Sequence, residues 1–327
     1  MNQFIRKIIL FATGLWLLNL GLDYFLGVLE RDVDKKGYAF DKYRWEEFYQ
    51  LPKGDTLDIL FLGSSHTYRG INPFLIDSLL NIHTYNLGSS GQTPITSYFV
   101  LKHASAYVHP KMVVMDLYFH TLMEKNQLAN GGNNWLELNA SLSKWQFLLQ
   151  GFDLYEISAL TVLPVLRKKG NVRYVLRKYL SGDDHLDEAG TYIGKGYVER
   201  TSSISLSALE APGFYDRLNL EGTWALPKQE KGLQRLVDFC KQKGIKLVFI
   251  SAPLPKTTYS KIKDRVKIKR HLDSLTNHLG IVYHDDTQNM QLRLQDTVHF
   301  FDDNHLNKAG VKVWNSSLQE ILGMMIK

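Results

Sequence analysis

The chain has 327 residues, of which 44% are apolar and 22% charged, and its formal net charge is +6. This composition excludes a disordered protein and provides a core for one large domain or two small ones. Basic residues are spread among 33 acidic ones, without a dominant basic tract, so nucleic-acid binding is not expected. Cys240 is the single cysteine, which excludes an intrachain disulfide and a cysteine-based metal site.

The N-terminal thirty residues contain an apolar segment that predicts a membrane-spanning helix. The stretch 8–22 gives about 22 Å of helix, which is too short for a bilayer core of about 30 Å, whereas continuing to residue 29 gives about 33 Å. The longer span includes Asp23, whose carboxylate costs about 3 kcal/mol at the bilayer centre and less toward one end. A span is therefore the better interpretation, and an amphipathic or buried N-terminal helix is the alternative.

The residues around this segment indicate its orientation. Arg6 and Lys7 precede it, and neither a small-residue cleavage site nor a lipid-bearing cysteine follows. Residues 1–32 are therefore interpreted as a cytoplasmic end and an uncleaved signal anchor in the cytoplasmic membrane, with the N-terminus inside. The remainder of the chain is then extracytoplasmic. Residues 33–54 are polar and aromatic and suit a juxtamembrane connector.

Beyond residue 55, apolar runs of strand length alternate with helical patterns. The predicted strands are residues 57–62, 84–87, 112–117, 246–251 and 281–284. This alternation predicts a parallel sheet covered on both faces, and such sheets bind ligands at the carboxyl ends of their strands. Residues 119–228 interrupt the pattern and are predicted to be a largely helical insertion, either a lid or a polymer-binding surface. Their basic segment RKKGNVRYVLRK favours a solvated helix face over an anionic-ligand site.

Three short motifs place reactive side chains near the predicted sheet edge. Ser65 lies in the turn GSSH after the first strand, where nearby backbone N–H groups can stabilise an oxyanion. The second strand is followed by NLGSSGQTP, in which Gly91 offers a second N–H donor. Asp302 and His305 are three residues apart, so a helical turn lets the carboxylate orient the imidazole. Each motif alone is also explained by ordinary loop chemistry or, near the C-terminus, by Asp302 or Asn304 capping the last helix.

Taken together and in this order, the motifs resemble those of the SGNH/GDSL hydrolase superfamily. These proteins are serine esterases and acyltransferases built on a flavodoxin-like sheet, and the resemblance covers most of residues 55–327 except the insertion. It implies that Ser65 is the nucleophile, that His305 is the general base and that Asp302 orients the base. It also implies an oxyanion hole made by the backbone N–H groups of Ser65 and Gly91.

The chain departs from the family pattern at two points. Asn86 matches the asparagine that opens the second block, but the third block, usually Gly-x-Asn-Asp, reads MVVMDLYFHT and offers no asparagine to the oxyanion hole. Losing such a donor costs about 3 kcal/mol, or about a hundredfold in rate, unless Tyr118, His120 or a residue of the insertion replaces it, so catalysis is weakened without being abolished. Ser64 stands where the family's name-giving aspartate usually stands.

The Gly-Ser-Ser opening, the N-terminal anchor and the large insertion are similar to one membrane-anchored branch of the superfamily. That branch includes the D-alanyl transfer protein of lipoteichoic acid synthesis, and its members are often associated with membrane-bound O-acyltransferases. The resemblance therefore implies acyl-ester chemistry on a cell-envelope glycan, with an acylated glycan or small acyl ester as substrate and a membrane-bound O-acyltransferase as candidate partner. The alternative is a non-catalytic glycan-binding or scaffold subunit of such a system.

Two further clusters of polar residues receive a different interpretation. His66 is next to Ser65, but adjacent residues at a strand-to-helix turn usually point in different directions, so His305 is favoured as the base. A cluster of His284, Asp285, Asp286 and His305 suggests a metal site but lacks a convincing ligand spacing, so these are interpreted as ordinary loop polar residues. Neither a metal nor a cofactor is expected.

Overall fold

The computed structural model describes residues 3–33, 40–164, 166, 190–218, 220 and 224–326. Helix α1, Gln3–Val33, contains the one segment of that part of the chain that is long and apolar enough to cross a membrane, Gln3–Leu26, with a mean hydropathy of 1.6. Its 24 residues extend about 36 Å, which exceeds the thickness of a bilayer core. A signal sequence passes the same test of length and composition, so anchoring stays a prediction.

A five-stranded parallel sheet forms the centre of the domain that follows. Its strands are β1 Asp55–Leu62, β2 Thr84–Asn86, β3 Val108–Asp116, β6 Lys246–Ser251 and β7 Val282–Asp285. They pair in the order β2-β1-β3-β6-β7, which is the order of a flavodoxin-like sheet. The predicted three-layer α/β architecture is confirmed. From β1 the chain continues to β2 on one side, and from β3 it continues to β6 on the other side. The ligand crevice of such a sheet therefore lies between β1 and β3.

Helices cover both faces of this sheet. Within the described residues, those after α1 are α2 Phe40–Tyr49, α3 Ser65–Gly70, α4 Pro73–Leu80, α5 Pro94–Ala104, α6 Phe119–Met123, α7 Asn133–Glu137, α8 Leu142–Gly151, α9 Leu154–Thr161, α10 Leu206–Glu210, α11 Pro227–Lys243, α12 Lys256–Lys261, α13 Arg265–Leu279, α14 Asp296–His299 and α15 Lys308–Ile326. Helices α5, α11 and α13 pack on one face, and α4 and α15 pack on the other.

The strand side chains alternate between two hydrophobic clusters, one on each face. The cluster under α5 and α11 includes Leu60, Leu62, Val113, Met115, Leu247 and Phe249. The cluster under α4 and α15 includes Ile59, Phe61, Met112, Val114, Val248 and Ile250. Strands buried on both faces appear as continuous apolar runs, which is why run length located them in the sequence.

The insertion between β3 and β6 combines short helices with a hairpin that the sequence did not predict. Its long apolar stretch forms α8 and α9, whereas β4 Thr191–Gly194 and β5 Tyr197–Glu199 pair in antiparallel fashion. The hairpin turn covers the outer edge of β2, because the Asn86 N–H donates to the Lys195 carbonyl at 3.0 Å. Gly196 has φ +78°, and an added Cβ would overlap the Asn86 carbonyl oxygen. The basic segment RKKGNVRYVLRK lies outside the described residues.

Part of the predicted connector is packed as core. Residues 40–49 form α2, in which Trp45 and Phe48 are fully buried against the α5 side of the sheet. Arg44 on the same helix is also fully buried. Residues 40–49 therefore belong to the folded domain.

Candidate active site

The nucleophile turn is shaped by Gly63 and Ser64. Gly63 has φ +134°, and an added Cβ would overlap the Thr67 hydroxyl and lie 2.9 Å from Asp116 Cβ. Ser64 then caps α3, since its Oγ accepts from the His66 N–H at 3.4 Å. Ser65 is the first residue of the helix and is partly exposed. Its hydroxyl therefore stands at the carboxyl end of β1, at the crevice of the sheet.

A turn near the C-terminus brings His305 to this hydroxyl. Asp302 Oδ1 accepts from the backbone N–H groups of Asn304 at 3.0 Å and His305 at 2.7 Å. Asp302 Oδ2 lies 2.8 Å from His305 Nδ1, and His305 Nε2 lies 2.7 Å from Ser65 Oγ. Three side chains that the sequence singled out thus form one continuous hydrogen-bonded chain, in which Ser65 and His305 are 240 positions apart.

The capping explanation for this turn does not hold, because another residue caps the last helix. Asn307 Oδ1 accepts from the N–H groups of Ala309 at 3.0 Å and Gly310 at 3.1 Å. Asp302 therefore faces His305 and its own turn. Burial would raise the pKa of Asp302, but the charge of His305 and hydrogen bonds from the imidazole and the backbone lower the pKa below its usual value. The carboxylate is ionised near neutral pH.

The predicted oxyanion donors are the backbone N–H groups of Ser65 and Gly91. In the described part of the chain, no acceptor lies within hydrogen-bond distance of the N–H of Ser65 or Gly91. Gly91 has φ +55°, a conformation that favours glycine. The loop is tied to the nucleophile turn, since the Ser89 N–H donates to the Gly63 carbonyl at 3.0 Å. Both predicted oxyanion donors line the same cavity as the Ser65 hydroxyl.

This cavity has a volume of about 300 Å³ and two walls of different origin. It is lined by Ser64, Ser65, Ser90, Gly91, Tyr118, His120, Thr121, Glu124, Phe214, Tyr215, Asp303 and Asn304. The sheet loops form one wall and the insertion forms the other. The volume is at the lower end of the range for small-molecule sites.

Two of the weaker candidates, Tyr118 and His120, line this cavity. The Tyr118 hydroxyl lies 2.6 Å from that of Tyr215, and burial raises the pKa of Tyr118 well above its usual value. His120 Nδ1 lies 3.2 Å from Glu124 Oε1, and burial lowers the pKa of His120. Tyr215 also accepts from Asn304 Nδ2 at 2.8 Å. The Tyr118 hydroxyl therefore belongs to a cavity-wall network.

Asn86, the third weaker candidate, has a different environment. It is fully buried, and its Nδ2 donates to the carbonyls of Thr67 at 2.9 Å and Ile71 at 3.1 Å. Its Oδ1 accepts from the Gly88 N–H at 2.9 Å. Asn86 thus joins the end of β2 to α3 and to the oxyanion loop, and its polar atoms are directed to the backbone.

A second histidine, His66, lies behind the triad. Its ring centre is 5.0 Å from that of His305, and its Nε2 lies 2.9 Å from the Asn304 carbonyl. A carbonyl only accepts hydrogen bonds, so Nε2 carries a proton. Burial, and then the charge of His305, lowers the pKa of His66 to about 3. His66 is therefore neutral, its Nδ1 is an acceptor, and neither nitrogen serves Ser65.

A further polar residue, which sequence reasoning missed, lies behind His66. Ser64 Oγ lies 3.2 Å from His66 Nδ1 and donates to Asp116 Oδ2, also at 3.2 Å. Burial raises the pKa of Asp116 to about 7, although hydrogen bonds from the Ala252 N–H and from Ser64 act to lower it. A buried chain from Asp116 through Ser64 and His66 thus holds the carbonyl of Asn304, next to His305.

The other polar clusters singled out in the sequence are structural. His284 Nε2 lies 2.9 Å from Asp286 Oδ1, and Trp314 Nε1 donates to Asp286 Oδ2 at 2.8 Å. Within the described ranges, no group of three or more histidine, cysteine or acidic side chains is placed to hold a metal ion. Cys240 is buried, and burial raises the pKa of its thiol to about 12.

Comparison with known proteins identifies similar folds only. No family model matches the chain, and no curated protein matches it significantly. Similar solved structures include a GDSL-like lipase from Bacteroides thetaiotaomicron, with 10% identity over 88% of this chain and 99% of that one and a TM-score of 0.39. A catalytic mutant of an acetylxylan esterase from Geobacillus stearothermophilus has 10% identity over 83% of this chain and 95% of that one and a TM-score of 0.38. At these scores, assignment of an activity depends on the geometry of this chain itself.

Proposed function

We propose that this protein is a serine-dependent ester hydrolase or O-acyltransferase. The observation that carries the proposal is the chain of contacts from Ser65 Oγ to His305 Nε2, at 2.7 Å, and from His305 Nδ1 to Asp302 Oδ2, at 2.8 Å. A nucleophile, a base and an orienting carboxylate in this arrangement suit acyl transfer. A non-catalytic scaffold predicts a His305 ring remote from Ser65, so the short contact favours the enzyme.

The proposed reaction has two halves, the acylation of Ser65 and the attack of an acceptor on the acyl-enzyme. His305 Nε2 takes the Ser65 proton as Oγ attacks the ester carbonyl, a contribution of about a hundred- to ten-thousandfold in rate. Asp302 holds the ring and stabilises the imidazolium. The N–H groups of Ser65 and Gly91 bind the oxyanion. The imidazolium then protonates the leaving alcohol, and an acyl-enzyme remains.

The second half determines whether the product is an acid or a new ester. With His305 as base, water attacking the acyl-enzyme releases a carboxylic acid, and a sugar hydroxyl yields a transferred acyl group. The cavity wall is polar and aromatic, and Tyr118, His120 and Tyr215 line it together with Ser65. A short acyl group on a hydroxylated alcohol suits such a wall better than a long fatty chain does, because a fatty chain requires an extended apolar surface.

We also propose that α1 is an uncleaved anchor with its N-terminus inside, so that the cavity lies outside the cytoplasmic membrane. The length and hydropathy of Gln3–Leu26 support this location. The substrate is then an acyl ester of an envelope glycan, and a membrane-bound O-acyltransferase is the proposed partner. Protease treatment of intact spheroplasts tests the orientation, since it should remove the domain while leaving the N-terminus protected. A domain that is cleaved only after lysis would contradict it.

A fluorophosphonate probe tests the chemistry directly. The purified full chain in detergent should gain one probe mass, located at Ser65 by peptide mass spectrometry. Ser65→Ala should abolish labelling. Ser90→Ala, at an exposed serine lining the same cavity, is the matched control and should be labelled normally. A folded wild-type protein that is not labelled would contradict the proposed activity.

A further inference from the structure

Helix α2 contributes a buried arginine to the neighbourhood of the active site. Arg44 is 0% exposed. Its guanidinium carbon lies 5.6 Å from the ring centre of Phe40 and 5.8 Å from that of Trp45, so aromatic rings of the same helix enclose it. Burying a cation is costly unless hydrogen bonds compensate for the lost water. The hydrogen-bond partners of the guanidinium therefore show which part of the structure the buried cation stabilises.

The guanidinium binds the loop that carries Gly91. Arg44 Nη1 donates to the Gly88 carbonyl and, at 3.4 Å, to the Leu87 carbonyl. Arg44 Nη2 donates to Asn134 Oδ1 at 2.8 Å, and Asn134 Nδ2 donates to Ser89 Oγ at 2.5 Å. One guanidinium and one amide thus bind three successive residues, 87–89, at the base of the oxyanion loop.

The loop is therefore held from two sides. The Ser89 N–H donates to the Gly63 carbonyl of the nucleophile turn at 3.0 Å, and Arg44 holds the opposite side. Glycines at 88 and 91 permit rotation of the intervening peptides. A charged hydrogen bond is stronger than a neutral one, and the bond from Arg44 fixes the direction of the Gly88 carbonyl. A carbonyl held in this way does not rotate toward Ser65, where it would repel an oxyanion.

We infer that Arg44 is a positioning residue of the oxyanion loop, and that α2 is part of the active-site framework. The effect on catalysis rests on the proposed function, whereas the effect on the loop does not. Arg44 touches neither the reacting atoms nor the cavity described above. Its role is to keep the Gly91 N–H in place through Gly88 and Asn134.

The first test compares turnover of two variants of the full chain. Arg44→Met should lower kcat on p-nitrophenyl acetate about 10- to 100-fold, because an oxyanion donor is displaced, with KM changed less than about twofold. Arg44→Lys, which keeps one charged donor, should recover part of the loss. Phe48→Leu is the matched control, since Phe48 is equally buried on α2 and should lower the melting temperature while leaving kcat near the wild-type value. Wild-type kcat in Arg44→Met would overturn the inference.

The second test measures the loop itself and does not require activity. Amide hydrogen exchange of residues 86–93 should accelerate at least about tenfold in Arg44→Met and stay unchanged in Phe48→Leu. Unchanged exchange in Arg44→Met would overturn the inference. If the wild-type protein hydrolyses no ester, the proposed function fails and exchange alone decides whether Arg44 positions the loop. If Arg44→Met does not fold, Arg44→Lys and Asn134→Ala are measured by the same two methods.

Discussion

The two walls of the cavity differ in how the chain builds them. The sheet wall consists of strand ends and turns, and it supplies Ser65, Gly91 and the turn that carries His305. The insertion wall consists of short helices between β3 and β6, and it supplies side chains such as Glu124 and Tyr215. Strand ends of a parallel sheet meet at one edge whatever the surface side chains are. The reacting groups therefore depend on topology, while the rest of the cavity depends on the particular insertion.

The largest expected effect is at the sheet wall. His305→Ala should lower kcat/KM at least about 1,000-fold, which is about 4 kcal/mol, because it removes the proposed general base. The loss should be similar for acetyl and butyryl esters, since the base acts on the shared reacting atoms. Asp303→Asn, a neighbouring residue that lines the cavity, is the control and should retain most activity. An equal loss of kcat/KM on both esters would confirm that the reacting groups belong to the sheet wall. A loss confined to one ester would contradict this difference between the two walls.

The next largest effect is on the free energy of unfolding, and it comes from Asp116, which is buried behind the sheet wall. Burial raises the pKa of Asp116 to about 7 from 3.8, so between those values the folded state binds a proton that the unfolded state has released. Stability then falls with rising pH by about 1.4 kcal/mol per unit, up to pH 7. Asp116→Asn should remove this slope, and relative to wild type it should gain about 2–3 kcal/mol between pH 5 and pH 8.

Urea unfolding at several pH values measures this difference. His66 and the other titrating groups are present in both proteins, so their contributions largely cancel. Asp58→Asn is the control: burial would raise the pKa of Asp58, but hydrogen bonds from Lys111 and the His83 N–H lower it. Asp58 is thus ionised in both states above pH 5 and should add no slope. Parallel curves for wild type and Asp116→Asn would contradict the protonated Asp116.

The smallest expected effect is at the insertion wall. Tyr215→Phe removes a hydroxyl that contacts Tyr118 at 2.6 Å and accepts from Asn304 at 2.8 Å. Leaving these partners unpaired costs about 1 kcal/mol, so kcat/KM should fall about 3- to 10-fold, and unequally between acetyl and butyryl esters. Phe214→Leu, the adjacent cavity residue, tests whether loss of apolar contact alone changes this preference. Equal losses on both esters would show that Tyr215 affects the reaction in the same way as the sheet wall does. This result would contradict the difference between the two walls.

Much of the sheet was predictable because its strands are short apolar runs followed by helices. Four of the five strands began within two residues of the prediction. The third strand began at residue 108, although the prediction began at 112, because Pro110 and the polar residues beside it hide the pairing of this part of β3 with β1. The positions of Ser65, Asp302 and His305 were predictable from motif order, and the structure brings these three side chains into contact.

Arg44, Asp116 and Tyr215 left no signal in the sequence. Arg44 belongs to a polar and aromatic stretch that suits a connector, and only packing reveals that its guanidinium is buried. Asp116 ends an apolar strand, where a carboxylate normally faces solvent, and its raised pKa follows from burial, against hydrogen bonds from the Ala252 N–H and Ser64 that lower it. Tyr215 reaches the cavity across a sequence separation of 89 residues from Asn304. Such contacts depend on tertiary packing, which local periodicity does not encode.

The hairpin turn at Lys195 has a consequence for how copies of this protein behave beside one another. An uncovered outer strand is a template onto which a second chain can add its own strand, and the result is open-ended polymerisation. By hydrogen-bonding to the backbone of Asn86, the turn closes that template on the β2 side. Removing the hairpin should therefore produce self-association before it causes a loss of folding.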